Sequence, residues 1–91
     1  MIKSFRNKGL EELFRDGHTG KIGADMHNRC LRRLDAINQA AQPQELHVPG
    51  FDFHPLQGQP IRYTVHVNGP WCITFEWDNN DALLLDFENY H

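Results

Sequence analysis

The stretch that decides the fold is residues 61–77, IRYTVHVNGPWCITFEW, in which apolar and polar side chains alternate on both sides of a turn. An alternation of period two is typical of a strand with one buried face. Asn68-Gly69 is a strong short-range hairpin signal, and Pro70 can lengthen the turn. The sequence therefore predicts two antiparallel strands. Their polar face, open to solvent or to a ligand, would carry Arg62, Thr64, His66, Cys72, Thr74 and Glu76.

Segments before and after this hairpin complete the predicted domain. Residues 82–87, ALLLDF, are nearly all apolar and predict a central strand, and residues 1–5 alternate as a short first strand does. Residues 7–17 and 25–41 carry apolar side chains at helical spacing, with Asp25 as an N-cap and Gly17 just past the end of the first helix. Pro43 would close the second helix. We therefore predict an α+β class, with two N-terminal helices packed on a small, mainly antiparallel sheet.

Charge is distributed unevenly along the chain. Residues 1–33 carry eight basic and four acidic side chains, and residues 34–91 carry one basic and eight acidic ones, which together give the net charge of −3. Three arginines of the second helix, Arg29, Arg32 and Arg33, are predicted to face away from its apolar stripe. Two interpretations stay open: the basic third contacts nucleic-acid phosphates, or it is solvated helix charge.

Size and composition limit the class of protein. The 91 residues suit a single domain spanning 1–91, and an apolar share of 40% is enough for one core. No segment approaches the roughly 20 apolar residues of a membrane helix, and the charged start does not resemble a signal peptide. We therefore expect a cytoplasmic protein without a membrane partner. The two cysteines, Cys30 and Cys72, are expected to stay unpaired.

Histidine is the best candidate for chemistry in this chain. Of the six histidines, His54, His66 and His91 lie where general acid–base catalysis is plausible, because this side chain titrates near neutral pH. The chain has no ligand pair at the short spacing of a zinc site, no phosphate-binding glycine loop and no serine elbow. We therefore expect no metal and no cofactor. Cys72 is either a thiol nucleophile or, as the simpler interpretation, an ordinary strand cysteine.

Several segments together resemble one protein family. MIKSFRNKGLEELFRDG, HPLQG, YTVHVNGPWCITFEWDNNDA and the terminal DFENYH are similar to the HigB-type (host inhibition of growth, plasmid maintenance) toxins of the RelE/ParE superfamily. The resemblance spans nearly the whole chain in the same order, and the opening Met-Ile-x-Ser-Phe and closing Tyr-His carry most of its weight. It implies a RelE-like fold, in agreement with the prediction above.

The resemblance also implies a function and partners. Such toxins are ribosome-dependent mRNA endoribonucleases, or mRNA interferases, that inhibit translation and arrest growth within a toxin–antitoxin system. The implied partners are a cognate helix-turn-helix antitoxin, the ribosome with mRNA in its A site, and operator DNA reached only through the antitoxin.

The site residues follow from the same resemblance. His54, Tyr90 and His91 match the family's His and terminal Tyr-His, and are the predicted catalytic residues. The predicted RNA- or phosphate-binding residues are Gln57, Arg62, His66, Cys72 and Asn89. Four of these depart from the family pattern: Gln57 replaces Lys, His66 and Cys72 each replace Arg, and Asn89 replaces Asp. Cysteine offers neither the charge nor the fork with which arginine binds phosphate. An alternative function is therefore a catalytically attenuated toxin that mainly binds antitoxin in operon autoregulation.

Overall fold

Two helices and a four-stranded sheet make up the described part of the chain. The structure is a computed structural model that describes residues 1–89. Helices α1 and α2 span Lys8–Asp16 and His27–Gln39, and short 3₁₀ turns span Ala24–Met26 and Pro43–Leu46. The strands are β1 (His54–Pro55), β2 (Tyr63–Asn68), β3 (Trp71–Asp78) and β4 (Asp81–Asn89). They lie in the order β1-β2-β3-β4 and pair antiparallel, which confirms the predicted α+β class.

The predicted hairpin joins β2 to β3. Asn68 pairs with Trp71, so Gly69 and Pro70 form a two-residue turn. Gly69 has a φ of 58°, which glycine adopts without steric cost, and this explains why the turn requires it. One extra residue of β2 lies between the pairs His66–Cys72 and Asn68–Trp71, which makes a β-bulge.

The apolar sheet face and the two helices enclose the core. Leu10 and Leu13 of α1 are fully buried, as predicted from their spacing. Along α2 the buried apolar positions are Cys30, Leu34, Ile37 and the C-capping Ala40. Ala41, which was predicted to be on this stripe, is exposed because α2 ends at Gln39 and the chain becomes extended at Ala40.

Strand β4 comes last in the order of strands across the sheet, so the prediction that it lies centrally is wrong. Its outer edge is nevertheless covered by the N-terminal segment, through parallel bridges from Ile2 to Ala82 and from Phe5 to Leu85. The predicted first strand over residues 1–5 is thus present only as these two isolated bridges. Because both edges of β4 carry hydrogen bonds, a largely apolar sequence is suitable there.

The helix ends agree with the sequence at α1 and differ at α2. The backbone N–H of Leu10 donates to Oδ1 of Asn7 at 2.9 Å, and Gly17 follows α1 with a φ of 83°, as predicted. Asp25 is not an N-cap, since it lies inside the Ala24–Met26 turn and α2 begins at His27 without a side-chain cap. Over residues 1–89, no helix has the length and apolar character needed to cross a membrane.

Candidate functional site

The strand register groups the polar side chains on the sheet face that points away from the helices. His54, Thr64, Thr74 and Asp86 are successive cross-strand partners, and His66, Cys72 and Glu88 form a second row. Directly opposed residues of antiparallel strands project to the same side of a sheet. We call this surface the polar face; it consists of His54, Thr64, His66, Cys72, Thr74, Glu76, Asp86 and Glu88.

Asp86 and Glu88 were not predicted for this face. Both alternate with the apolar residues of β4, so the period-two pattern of DFEN contained the signal. Their placement beside Thr74 and Cys72, however, depends on the register between β3 and β4. They make the face more acidic than the hairpin alone indicates.

The middle of the polar face is closed, in contrast to the prediction of an open surface. Thr64 and Thr74 are 2% and 0% exposed. The Thr74 hydroxyl donates a hydrogen bond to a carboxylate oxygen of Glu88. The Thr64 hydroxyl oxygen is buried, with no partner among the described residues 1–89. A ligand therefore meets the margins of this face before it meets the two threonines.

Arg62 lies immediately before β2 and is engaged with the polar face through three contacts. Its Nη1 donates to Oε2 of Glu76 at 3.1 Å, and its Nη2 donates to the Thr74 hydroxyl at 3.0 Å and to the carbonyl oxygen of Leu84 at 2.9 Å. Leu84 has a φ of 54° at a bulge in β4, where two residues oppose one of β3. The Arg62 side chain is only 15% exposed, so most of its donors serve the fold.

His54 lies at the margin of the polar face with its ring exposed. Its Nδ1 is 2.9 Å from the carbonyl oxygen of Asp52. A carbonyl only accepts, so Nδ1 carries the hydrogen, and in the neutral imidazole Nε2 is then the unprotonated nitrogen. Asp52 itself has a φ of 46°, a conformation that aspartate tolerates better than most residues. The backbone around Asp52 therefore leaves Nε2, the basic nitrogen of His54, without a hydrogen-bond partner among residues 1–89.

The His66 side chain is partly exposed, whereas its backbone N–H and its carbonyl oxygen both form hydrogen bonds. Its Nε2 lies 2.8 Å from the carbonyl oxygen of Gly69, which assigns the ring hydrogen to Nε2. Its backbone N–H donates to the Phe51 carbonyl oxygen at 2.6 Å, and its own carbonyl oxygen accepts from Nε of Arg33 at 2.7 Å.

Arg33 is buried, so the prediction that it faces away from the core is wrong. Its guanidinium also donates to the carbonyl oxygens of Arg29 at 3.1 Å and of Gly50 at 3.4 Å, and it lies 4.6 Å from the ring centroid of Phe51. Burial lowers the pKa of Arg33, and Arg32 and Arg29 lower it further, but an arginine remains charged at neutral pH. Besides the Arg29 carbonyl within α2, its acceptors are carbonyls of the β2 edge and of the loop, which helical spacing does not reveal.

The remaining predicted site residues are more scattered. Cys72 is partly exposed on the polar face, opposite both His66 and Glu88. Gln57 is exposed in the loop between β1 and β2. Asn89 pairs with Trp71, so the register assigns it to the other face of the sheet. Tyr90 and His91 lie outside the described residues. Within residues 1–89 no three His, Cys, Asp or Glu side chains are grouped as metal ligands.

Comparison with known proteins adds two findings. A family model described as the RelE-like toxin of type II toxin-antitoxin system HigB matches residues 3–91. Endoribonuclease HigB from Proteus vulgaris is 41% identical over 92 residues, an alignment that covers 100% of both chains.

Proposed function

Since this chain belongs to the HigB family of RelE-like toxins of type II toxin–antitoxin systems, we propose that it is an endoribonuclease that cleaves mRNA on the ribosome. Membership makes the chain the toxin of such a pair, with an antitoxin as its partner. The name of the Proteus vulgaris relative supports RNA cleavage. We propose further that the antitoxin is a helix-turn-helix protein, that mRNA in the ribosomal A site is the substrate, and that the chain reaches operator DNA only through the antitoxin.

The observation that carries the chemistry is the exposed His54 ring with Nδ1 bonded to the carbonyl oxygen of Asp52. In the proposed reaction, Nε2 of His54 accepts the proton of a ribose 2′-hydroxyl. The 2′-oxygen then attacks the adjacent phosphorus, and the bond from phosphorus to the 5′-oxygen of the next nucleotide breaks. The products are a 2′,3′-cyclic phosphate and a 5′-hydroxyl, and no metal or cofactor takes part.

The leaving 5′-oxygen needs a proton, and His91 is proposed to supply it. The adjacent Tyr90 is proposed to stack on a base of the substrate. Both roles rest on the match of the terminal Tyr-His to the family. The proposed general base is thus His54, which takes up one proton, and the proposed general acid is His91, which gives up one proton.

Phosphate contacts are proposed for His66, Gln57 and Cys72. Asn89 is not among them, because its pairing with Trp71 assigns it to the other face of the sheet. His66 binds Gly69 through Nε2, so Nδ1 is the ring nitrogen left for RNA. Gln57 and Cys72 provide weaker contacts than the Lys and Arg of the family pattern, since neither carries a charge. These departures are expected to slow the enzyme and not to abolish its activity.

The alternative of a catalytically attenuated toxin that mainly binds its antitoxin in operon autoregulation has less support. It arose from the missing cations, and the acidic residues added by β4 agree with it. The relative, however, is named an endoribonuclease and is similar over its full length. We therefore favour the catalytic function.

Induced expression in bacteria tests the proposal. We expect growth arrest, with new mRNA 5′ ends inside translated codons, and loss of both effects in His91→Ala. His18→Ala is the matched control, because His18 is an exposed histidine of the α1–α2 loop. Normal growth and intact mRNA with the unchanged chain would refute catalysis. Neighbouring genes that encode no small DNA-binding protein would refute the proposed antitoxin class.

A further inference from the structure

A cation that binds the phosphate would assist the proposed cleavage, and Arg62 is poorly placed to provide it. All three of its observed hydrogen bonds go to groups of the protein, namely Glu76, Thr74 and the Leu84 carbonyl. Of its two remaining N–H donors, the one on Nε is buried and has no partner among residues 1–89. A more exposed guanidinium at the margin of the polar face is therefore a better candidate.

Arg6 is such a guanidinium. Its Nη2 lies 3.7 Å from Oε2 of Glu76, the same carboxylate oxygen that Arg62 approaches to 3.1 Å. The two arginines differ in exposure, because the Arg6 side chain is 48% exposed and that of Arg62 is 15% exposed. Glu76 is thus shared between a buried cation and an accessible one.

The backbone at Arg6 is fixed although its side chain is accessible. The N–H groups of Arg6 and Asn7 donate to the Leu85 carbonyl oxygen at 2.7 and 3.1 Å. Asn7 then caps α1 through its bond from Leu10. The guanidinium can therefore move between partners without any rearrangement of β4 or of α1.

We propose that Arg6 binds a backbone phosphate of the RNA, exchanging Glu76 for that phosphate. The inference rests on the proposed function and deepens it. An exposed ion pair at 3.7 Å is weak, whereas arginine binds phosphate through two parallel hydrogen bonds. Glu76 keeps Arg62 after the exchange, so no buried charge is left without a partner. Arg6 thereby supplies a permanent charge at the polar face, which neither Gln57 nor Cys72 provides.

Arg6→Gln and Arg15→Gln form the test pair. Each removes one positive charge, and Arg15 is 62% exposed on α1, beside Asp16. Binding of a single-stranded RNA whose 2′-hydroxyls are replaced, so that it resists cleavage, is measured over a range of salt concentrations. Arg6→Gln should make the negative slope of log K against log salt less steep by about 0.7, the value for one phosphate contact on a single strand. Arg15→Gln should leave the slope unchanged, and Arg6→Lys should keep it while binding more weakly.

Equal slopes for Arg6→Gln and the unchanged chain, equal losses in the two Gln variants, or no RNA binding by the unchanged chain would each overturn the proposal. Cleavage on translating ribosomes, measured on the same proteins, separates this inference from the proposed function. A chain that binds RNA through Arg6 but never cleaves contradicts only the proposed function. Equal cleavage rates for the Arg6→Gln and Arg15→Gln variants would contradict only the role of Arg6.

Discussion

Nδ1 of His54 lies 2.9 Å from the carbonyl oxygen of Asp52, and this single hydrogen bond determines which ring nitrogen can act as a base. Asp52 has a positive φ, so a local backbone conformation directs the carbonyl toward the ring. The tautomer of His54 is therefore a property of the loop that precedes β1.

Replacing His54 by alanine should lower the cleavage rate by about 10²–10⁴-fold, the range typical for a general base. RNA affinity should change much less, because the proposed role of Nε2 concerns the transition state. Single-turnover cleavage and binding of uncleavable RNA measure the two quantities. His18→Ala, at an exposed loop histidine, should behave as the unchanged chain does; an equal rate loss there would contradict the role of His54.

Cys72→Arg should raise activity. The new guanidinium would lie on the polar face beside His66 and opposite Glu88, where phosphate is proposed to bind. One positioned donor of this kind typically raises the rate roughly 10²–10³-fold. The gain should be smaller here, because Glu88 competes with the phosphate for the guanidinium. Cys72→Gln is the uncharged control of similar length. Equal rates for the two variants would show that a cation at this position does not assist cleavage.

Arg33→Met should destabilise the fold by about 2–4 kcal/mol. The change removes the donor to His66 and leaves a strand-edge carbonyl buried without its partner, which typically costs about 1–3 kcal/mol, and it also removes the contact with Phe51. Urea unfolding measures the difference. Arg32→Met, at the exposed neighbouring position, should change stability by less than about 0.5 kcal/mol. Similar losses in both variants would mean that charge, not the buried hydrogen bonds, stabilises this region.

The alternation of residues 61–77 is a local property, and it predicted β2, β3 and the faces of their side chains. The turn at Gly69 and the C-terminus of α1 at Gly17 were likewise predictable, because each depends on a glycine conformation. Asp25 failed as an N-cap because the 3₁₀ turn before α2 uses the same residues.

Long-range contacts explain what the sequence did not reveal about the site. Arg33 has the spacing of a surface residue, yet carbonyl groups from β2 and the preceding loop bury it. Asp86 and Glu88 joined the polar face only through the register with β3, and Arg6 reached Glu76 only because the N-terminal segment lies along β4. The alternation of DFEN is a local signal that Asp86 and Glu88 share one side of β4, but their neighbours on β3, like the contacts of Arg33 and Arg6, have no local pattern.

Stability should decrease in alkaline solution because of Cys30. Burial raises the pKa of its thiol from 9.0 to about 11, so the thiol stays protonated to a higher pH in the folded state than in the unfolded state. The resulting stabilisation is complete below pH 9 and is lost as the pH rises toward 11. Urea unfolding between pH 7 and pH 11 should show a smaller alkaline loss in Cys30→Ala than in the unchanged chain. An identical loss in both would exclude this thiol as the cause.

The reactivity of the two thiols offers a separate check on burial. Cys30 is fully buried and Cys72 is partly exposed. At pH 8 a thiol reagent should label one cysteine rapidly in the native chain and both in urea, and Cys72→Gln should abolish the rapid phase. Rapid labelling that persists in Cys72→Gln would contradict the placement of Cys30 in the core.

The chemistry of the cut ends, with purified protein acting on mRNA in translating ribosomes, tests the role of His54 most sharply. We expect internal cuts that leave a 2′,3′-cyclic phosphate and a 5′-hydroxyl, with the rate strongly reduced in His54→Ala. Intact mRNA, or cuts that leave a 5′-phosphate, would contradict attack by the ribose hydroxyl and with it the role assigned to His54.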